Sequence, residues 1–327
     1  MSNFIKKHFD LKYICIAVAL IIFLSASLLV VFSGLEMSQK NYSPTEQTVN
    51  KEESKKEEEK TKPSLPVQDE NFDLMKIEES QLHCGELILV NNQNECLIDG
   101  TDLLGIMENK NDTYKTADYL EQLNRVALNH LNTMMSDFYN FAGATDVYVS
   151  CGYRSRETQQ SIFDNTVATS GLEHAQKYVN KPGFSEHQTG YAFDFALLTQ
   201  DGQILEFTGE GEYAWIKENC AKYGYILRYS EMTEDVTGIS AETWHFRYVG
   251  QPHAEYIMSK GIALEAYLTT LEKDHSKDNP LELKCTDGST YYTYYEKLGD
   301  DNTINVPKNK GYSISGDNNK GIIVTYK

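Results

Sequence analysis

Residues 13–35 form an unbroken apolar run without a charge. A helix rising about 1.5 Å per residue over such a run would cross a hydrocarbon core of about 30 Å. Lys6, Lys7 and Lys12 precede it, which predicts a cytoplasmic tail over 1–12 and an extracytoplasmic position for the rest of the chain. A cleaved signal peptide is the competing reading, but the run is long for one and ends without a small-x-small site. Residues 36–70 reverse the pattern. They include KEESKKEEEKTKPSLP, whose few apolar side chains cannot offset the entropy of ordering. This stretch reads as a spacer.

Globular patterning begins near Phe72. Residues 85–90 (GELILV) predict a strand before the turn-rich Asn-Asn-Gln-Asn segment. Residues 116–142 predict one long helix, because Leu120, Leu123, Ala127, Leu131, Met135 and Phe138 recur at steps of three and four. Thr116 would cap its start and Gly143 its end. Strands are predicted at 146–150, 191–197, 225–229 and 244–249, and helices at 155–169, 215–223 (stopped by Gly224) and 253–271. The lack of a strict βαβ rhythm argues for an α+β class with a mainly antiparallel sheet. Beyond Asp274 the runs 289–298, 303–306, 312–315 and 321–326 are short, rich in Tyr and Ile, and punctuated by Gly299, Pro307, Gly316 and Asn318. They predict a small β-rich appendage over 274–327 that packs as a cap on the main domain (71–273), with a wall or partner contact as the alternative role.

A content of 40% hydrophobic and 24% charged residues is ordinary for a globular protein, but the formal net charge of −18 is not neutral toward partners. It repels polyanions, so nucleic-acid binding is excluded as a role. Five cysteines lie beyond the apolar run, namely Cys84, Cys96, Cys151, Cys220 and Cys285. Their spacing matches no zinc knuckle, and they are read as buried small hydrophobes with one or two disulfides among them.

Two segments carry chemistry: FSEHQTGYAFDF at 184–195 and AETWHFR at 241–247. They supply His187, Asp194, His245 and Glu242. A catalytic zinc takes three nitrogen or oxygen ligands and leaves one position open. On a continuous strand His187 and Asp194 would face opposite ways, so the chain must turn between them, at Thr189-Gly190. Beyond the turn Asp194 shares its face with the small Ala192 and Ala196. Glu242, three residues before His245, would point away on a regular strand and is expected in the approach turn, where it can act as a general base. Spacing alone leaves a structural reading open, since single histidines on apolar strands are common and His-x6-Asp recurs by chance.

These segments, with Gly152-Tyr-Arg-Ser155 and Tyr223-Gly-Tyr-Ile-Leu-Arg-Tyr229 before Thr237-Gly238, resemble VanY-type D-alanyl-D-alanine carboxypeptidases in order and spacing. The resemblance covers about residues 87–268. It implies the zinc-peptidase fold shared with the hedgehog signalling domain, one zinc ion on His187, Asp194 and His245, and Glu242 as base. It also implies that Arg154 binds substrate or steadies the oxyanion, which suits a fixed guanidinium. Ser185, Gln159 and Tyr153 are further candidates for the substrate's end, although Ser185 could cap the turn and Tyr153 could pack. Cys151 stands where the family often has Ser, and Thr243 where it often has Pro. The implied activity is removal of terminal D-alanine from peptidoglycan stem pentapeptides, on the wall side of a bacterial membrane. The alternatives are an L,D-carboxypeptidase acting on tetrapeptides and a zinc-stabilised binding module without turnover.

Overall fold

The alternation in strand β6 (Ala192–Leu198) organises the fold, because it divides a two-faced sheet into an aromatic face and a chemical face. The structure, a computed structural model, describes residues 70–327. Phe193 and Phe195 point into the core, where both pack on Phe246 with ring centroids 5.6 and 5.4 Å away. Ala192, Asp194 and Ala196 occupy the other face. Their neighbours are β5 (Val147–Cys151) on one side and β9 (Glu242–Tyr248) on the other, both antiparallel to β6. The full order is β3 (Lys115–Thr116), β5, β6, β9, β8 (Tyr225–Tyr229), with β7 (Ile204–Glu206) also on β6. Only the β3–β5 pair is parallel among these. A separate pair joins β2 (Leu103–Gly105) to β4 (Gln122–Asn124). The expected α+β class with a mainly antiparallel sheet is what the chain adopts.

Helix α1 (Arg125–Ala142) lays Ala127, Leu128, Leu131, Met134, Met135 and Phe138 against the aromatic face. Each large apolar side chain buried there contributes about 1.5–3 kcal/mol. The helix is shorter than the apolar periodicity predicts. Thr116 is in β3, paired to Val149, Leu120 is exposed, and the cap is Asn124, whose side chain accepts from the Val126 N–H at 2.9 Å. At the other end Gly143 takes the expected left-handed cap, with φ 69°.

Helix α2 (Arg156–Ser170) starts at the N-cap Ser155, and α3 (Leu172–Tyr178) comes directly after it. Helix α4 (Ala214–Asn219) tightens into a 3-10 turn that stops at Gly224. The helix expected over 253–271 is instead two, α5 (Gln251–Lys260) and α6 (Leu264–Asp274), because Gly261 caps the first in a left-handed conformation. Residues 85–90 are not a strand either. The carbonyls of Glu86 and Ile88 accept from the Arg247 guanidinium at 3.0 and 2.9 Å, which takes the place of a ladder.

The C-terminal runs form β10 (Leu281–Lys284), β11 (Thr290–Lys297), β12 (Thr303–Pro307), β13 (Tyr312–Gly316) and β14 (Gly321–Tyr326). Four of them make an antiparallel sheet in the order β10-β11-β14-β13, while β12 pairs with β1 (Phe72–Lys76) from the start of the described chain. This sheet shares a core with the main domain: Tyr295 and Ile323 pack with Leu87, Ile226 and Val249 and with residues of α5 and α6. His253 bridges the two parts, its ring contacting the Tyr267 hydroxyl at 2.7 Å and the Thr325 hydroxyl at 3.1 Å. Burial pushes its pKa down to about 3, so it bridges as a neutral ring.

The expected disulfides are absent. Cys84, Cys96, Cys151, Cys220 and Cys285 are all free thiols. Cys220 is buried in the main core, and the Cys96 thiol donates to the Ile98 carbonyl. The expected span at 13–35 and the spacer lie outside the described residues. Among the described residues no helix is long and apolar enough to cross a membrane.

The shared core predicts that Ile323→Ala destabilises the whole described fold rather than the C-terminal sheet alone. The expected loss is about 2–5 kcal/mol, read as one shifted urea transition by both tryptophan fluorescence and far-UV circular dichroism. A separate early transition for the C-terminal strands would contradict it.

Candidate metal centre

Three irregularities in the backbone assemble the centre. The first is a 3-10 turn, Glu186–Thr189, closed by Gly190 at φ 74°. It reverses the chain where the sequence demanded a turn, and a Cβ on Gly190 would meet the Leu103 side chain at 2.6 Å. The second is a bulge in β5, where Val149 pairs with Phe195 but Cys151 pairs with Asp194. The third is a larger bulge in β9. Leu227 pairs with Phe246, yet Tyr229 pairs with Glu242. Two steps on β8 are therefore matched by four on β9. This irregularity brings Glu242 and His245 to one side, with Glu242 Oε2 4.0 Å from His245 Nδ1. Glu242 is thus the first residue of β9 itself rather than part of a preceding turn.

His187, Asp194 and His245 converge. Asp194 and His245 are direct cross-strand partners. The Asp194 carboxylate lies 3.3 Å from His187 Nε2 and 2.9 Å from His245 Nδ1. Each imidazole has its far nitrogen committed elsewhere: His187 Nδ1–H donates to the Gly152 carbonyl at 2.7 Å, and His245 Nε2 faces Glu186 Oε2 at 3.3 Å. Metal-ligating histidines are held in this way, with one nitrogen fixed by an acceptor and the other turned inward. Two imidazole nitrogens and one carboxylate are also the donor set of a catalytic zinc. The residues present fit that ion.

Cys151 offers another donor, since its sulfur can lie with ligand atoms of His187 and Asp194 within 4.8 Å of one another. Yet Sγ is 3.7 Å from His187 Nδ1, the nitrogen already bonded to Gly152, and it accepts from Arg154 Nη2 at 3.0 Å. The thiol therefore sits behind the His187 ring, and His245 is the better third ligand.

Charge in the centre is buried and closely paired. Burial alone would raise the Asp194 pKa, but His187 and His245 outweigh it and hold the carboxyl well below its usual range. Burial opposes protonation of His245, but hydrogen bonds to Asp194 and Glu186 prevail and lift it to about 9; His187 is likewise raised well above its ordinary value, with Cys151 and Asp194 overcoming burial. Glu242 goes the other way. Burial pushes it up to about 7, only partly offset by His245.

Arg154 is fixed on the same wall. Its backbone N–H donates to the His187 carbonyl at 3.2 Å, and Nη1 donates to Gln159 Oε1 at 2.9 Å. Gln159 Nε2 donates in turn to the Asn180 carbonyl, so this amide positions Arg154 and is engaged at both ends. Ser185 is buried at the start of the 3-10 turn but its side chain does not cap it. Tyr153 is half-buried, with its N–H on the Gln122 carbonyl.

Sequence reasoning misses the part played by three residues. Glu121 accepts from the N–H of Gly152, the residue whose carbonyl holds His187, and burial lifts its pKa to about 7. Cys151 stands out in the sequence only as a departure from the family pattern. Glu186, fully buried, binds His245, Arg228 and Arg247. Its one visible signal is a carboxylate inside the His187 block with two arginines in later strands.

Known proteins resemble this chain in sequence and in fold. The VanY family profile, described as D-alanyl-D-alanine carboxypeptidase, matches residues 120–251. A D-alanyl-D-alanine carboxypeptidase of Enterococcus faecium is 31% identical over 78% of this chain and 80% of its own length. One from Enterococcus faecalis is 38% identical over 43% of this chain and 54% of its own. Among solved structures, the vancomycin-resistance D,D-dipeptidase VanXYg, in complex with a D-Ala-D-Ala phosphinate analogue, aligns with a TM-score of 0.68 and 30% identity, over 78% of this chain and 98% of that one. The LD-carboxypeptidase LdcB aligns with a TM-score of 0.50 and 29% identity, over 61% and 94%. Sequence coverage, fold and the clustering of the four motif residues agree: the chain belongs to the VanY family of D-alanyl-D-alanine carboxypeptidases.

Proposed function

We propose that this protein is a zinc-dependent carboxypeptidase that removes the C-terminal D-alanine from peptidoglycan stem pentapeptides. The observation that carries the reading is the convergence of His187, Asp194 and His245 with a partly buried Glu242 4.0 Å from His245. A zinc ion held there would acidify a water and polarise the scissile carbonyl. Glu242 accepts the proton of the attacking water and returns it to the departing amine nitrogen of D-alanine. Burial raises the Glu242 pKa and so opposes the lowering that a nearby cation would cause. Arg154, braced by Gln159, presents a fixed cation for the substrate's terminal carboxylate or for the developing oxyanion. The apolar segment at 13–35 would keep the enzyme at the membrane, on the side where stem peptides lie. The likeness to LdcB supports a second reading, L,D-cleavage of tetrapeptides.

Incubating the zinc-loaded protein with penta- and tetrapeptide stems and following products by mass separates the two readings. D-Alanine released from the pentapeptide alone is expected, and release from the tetrapeptide alone would transfer the assignment to the second.

Glu242→Ala should bind zinc as the wild type does while losing about 10²–10⁴-fold in kcat, the ordinary worth of a general base. Retained turnover would remove Glu242 from this role.

The base must be ionised to act. Activity is therefore present above the Glu242 pKa and falls tenfold per unit below it, with the acid limb of kcat/KM at or below about 7 because a bound cation lowers the value further. Rates from pH 4 to 8, with zinc content checked at each point, test this; a flat profile would count against it.

In the metal-free protein both ring systems hold protons at pH 7, since His245 titrates near 9 and His187 is raised too. Zinc binding must displace them, so about two protons should be released per zinc. Affinity should therefore climb as pH rises above 7. Calorimetry in buffers of different ionisation enthalpy counts the protons, and zero release would contradict the ligand assignment.

A further inference from the structure

Glu186 stands between Ser185 and His187 in the sequence, yet its side chain turns away from the point where the other groups converge. It is 1% exposed, and its two oxygens have separate partners. Oε2 lies 3.3 Å from His245 Nε2. Oε1 accepts from Arg228 Nε at 2.8 Å and Arg247 Nη1 at 3.1 Å. Both guanidiniums are anchored independently. Arg228 forks onto Glu265 of α6 with bonds of 2.9 and 2.6 Å, and Arg247 donates to the Glu86 and Ile88 carbonyls and to that of Tyr248. Glu186 and Glu265 balance Arg228 and Arg247, so the cluster carries no net charge. A carboxylate gripped on one oxygen by two fixed cations cannot swing inward to become a ligand. Its other oxygen is left to accept from one imidazole nitrogen.

We propose that Glu186 is a positioning residue of the metal centre: it accepts the Nε2–H of His245, fixes that ring's tautomer and orientation, and thereby presents a bare Nδ1 beside Asp194. This rests on the reading of His245 as a ligand. A carboxylate on the far nitrogen also makes the imidazole a stronger donor. The competing account is that the cluster only stabilises the core. The two differ in what glutamine does at this position. Its single oxygen cannot serve both sides, because its NH2 must face either a guanidinium or the imidazole N–H.

The test uses the zinc-loaded protein and the variants Glu186→Gln and Arg228→Gln. Arg228→Gln also breaks the cluster, removing its bonds to Glu186 and Glu265, but leaves Glu186 held by Arg247 and facing His245. Zinc dissociation constants are measured by chelator competition, and the His245 Nε2–H is followed by NMR. In the wild type this proton should be resolved and slow to exchange. Glu186→Gln should weaken zinc binding about 10–100-fold and speed the exchange, whereas Arg228→Gln should stay near the wild-type affinity. Wild-type affinity in Glu186→Gln would overturn the proposal, as would equal weakening in both variants. If Glu186→Gln fails to fold, the wild-type spectrum still decides, because an unprotected Nε2–H refutes the contact. Unchanged zinc binding in His245→Ala would instead refute the ligand reading beneath it.

Discussion

A carboxylate cannot be left alone inside a protein, and this structure is arranged around that constraint. Asp194 lies in the middle of the central sheet between two buried histidines, and Glu186 lies just behind them between two buried arginines. Removing an ion from water costs several kcal/mol unless partners of opposite sign replace the solvent. Each carboxylate here receives such partners from elements far apart in the chain. The consequence is mutual dependence: the 3-10 turn, β6, β8, β9 and α6 are held at fixed distances because their charges need one another.

The sheet supplies rigidity, and its defects supply aim. A regular β9 would turn Glu242 and His245 to opposite faces, and a regular β5 would not pair Cys151 with Asp194. The bulges correct both placements. They lie on the two strands flanking β6, so the most regular strand of the site, with its aromatic underside, carries the central ligand while its neighbours bend toward it. The aromatic face offsets this departure from ideal pairing, since the stack of Phe193, Phe195 and Phe246 lies directly beneath.

Much of this is legible in the residues. The alternation around Asp194, the turn at Gly190, the C-terminal strand runs and the four chemical side chains can all be read from local pattern, because period-two burial and a glycine turn are local properties. The features that escape such a reading depend on distant partners. The helix starting at Arg125 is overextended toward Thr116 by its apolar periodicity because β3 takes its register from β5, some thirty positions later. Residues 85–90 have strand chemistry but surrender their carbonyls to Arg247. The bulge that recruits Glu242 exists only relative to β8. In the sequence Glu186 is one acid among many, and only the folded positions of Arg228, Arg247 and His245 set it apart.

The pairing of β1 with β12 has a consequence in time. The first described strand, Phe72–Lys76, finds its partner only at Thr303–Pro307, and the second core waits for Tyr295 and Ile323. A chain made from its N-terminus therefore exposes the inner faces of α5 and α6 until its last strands arrive. Long-range closure of this kind slows folding. The final strands are therefore what covers α5 and α6 and completes the second core.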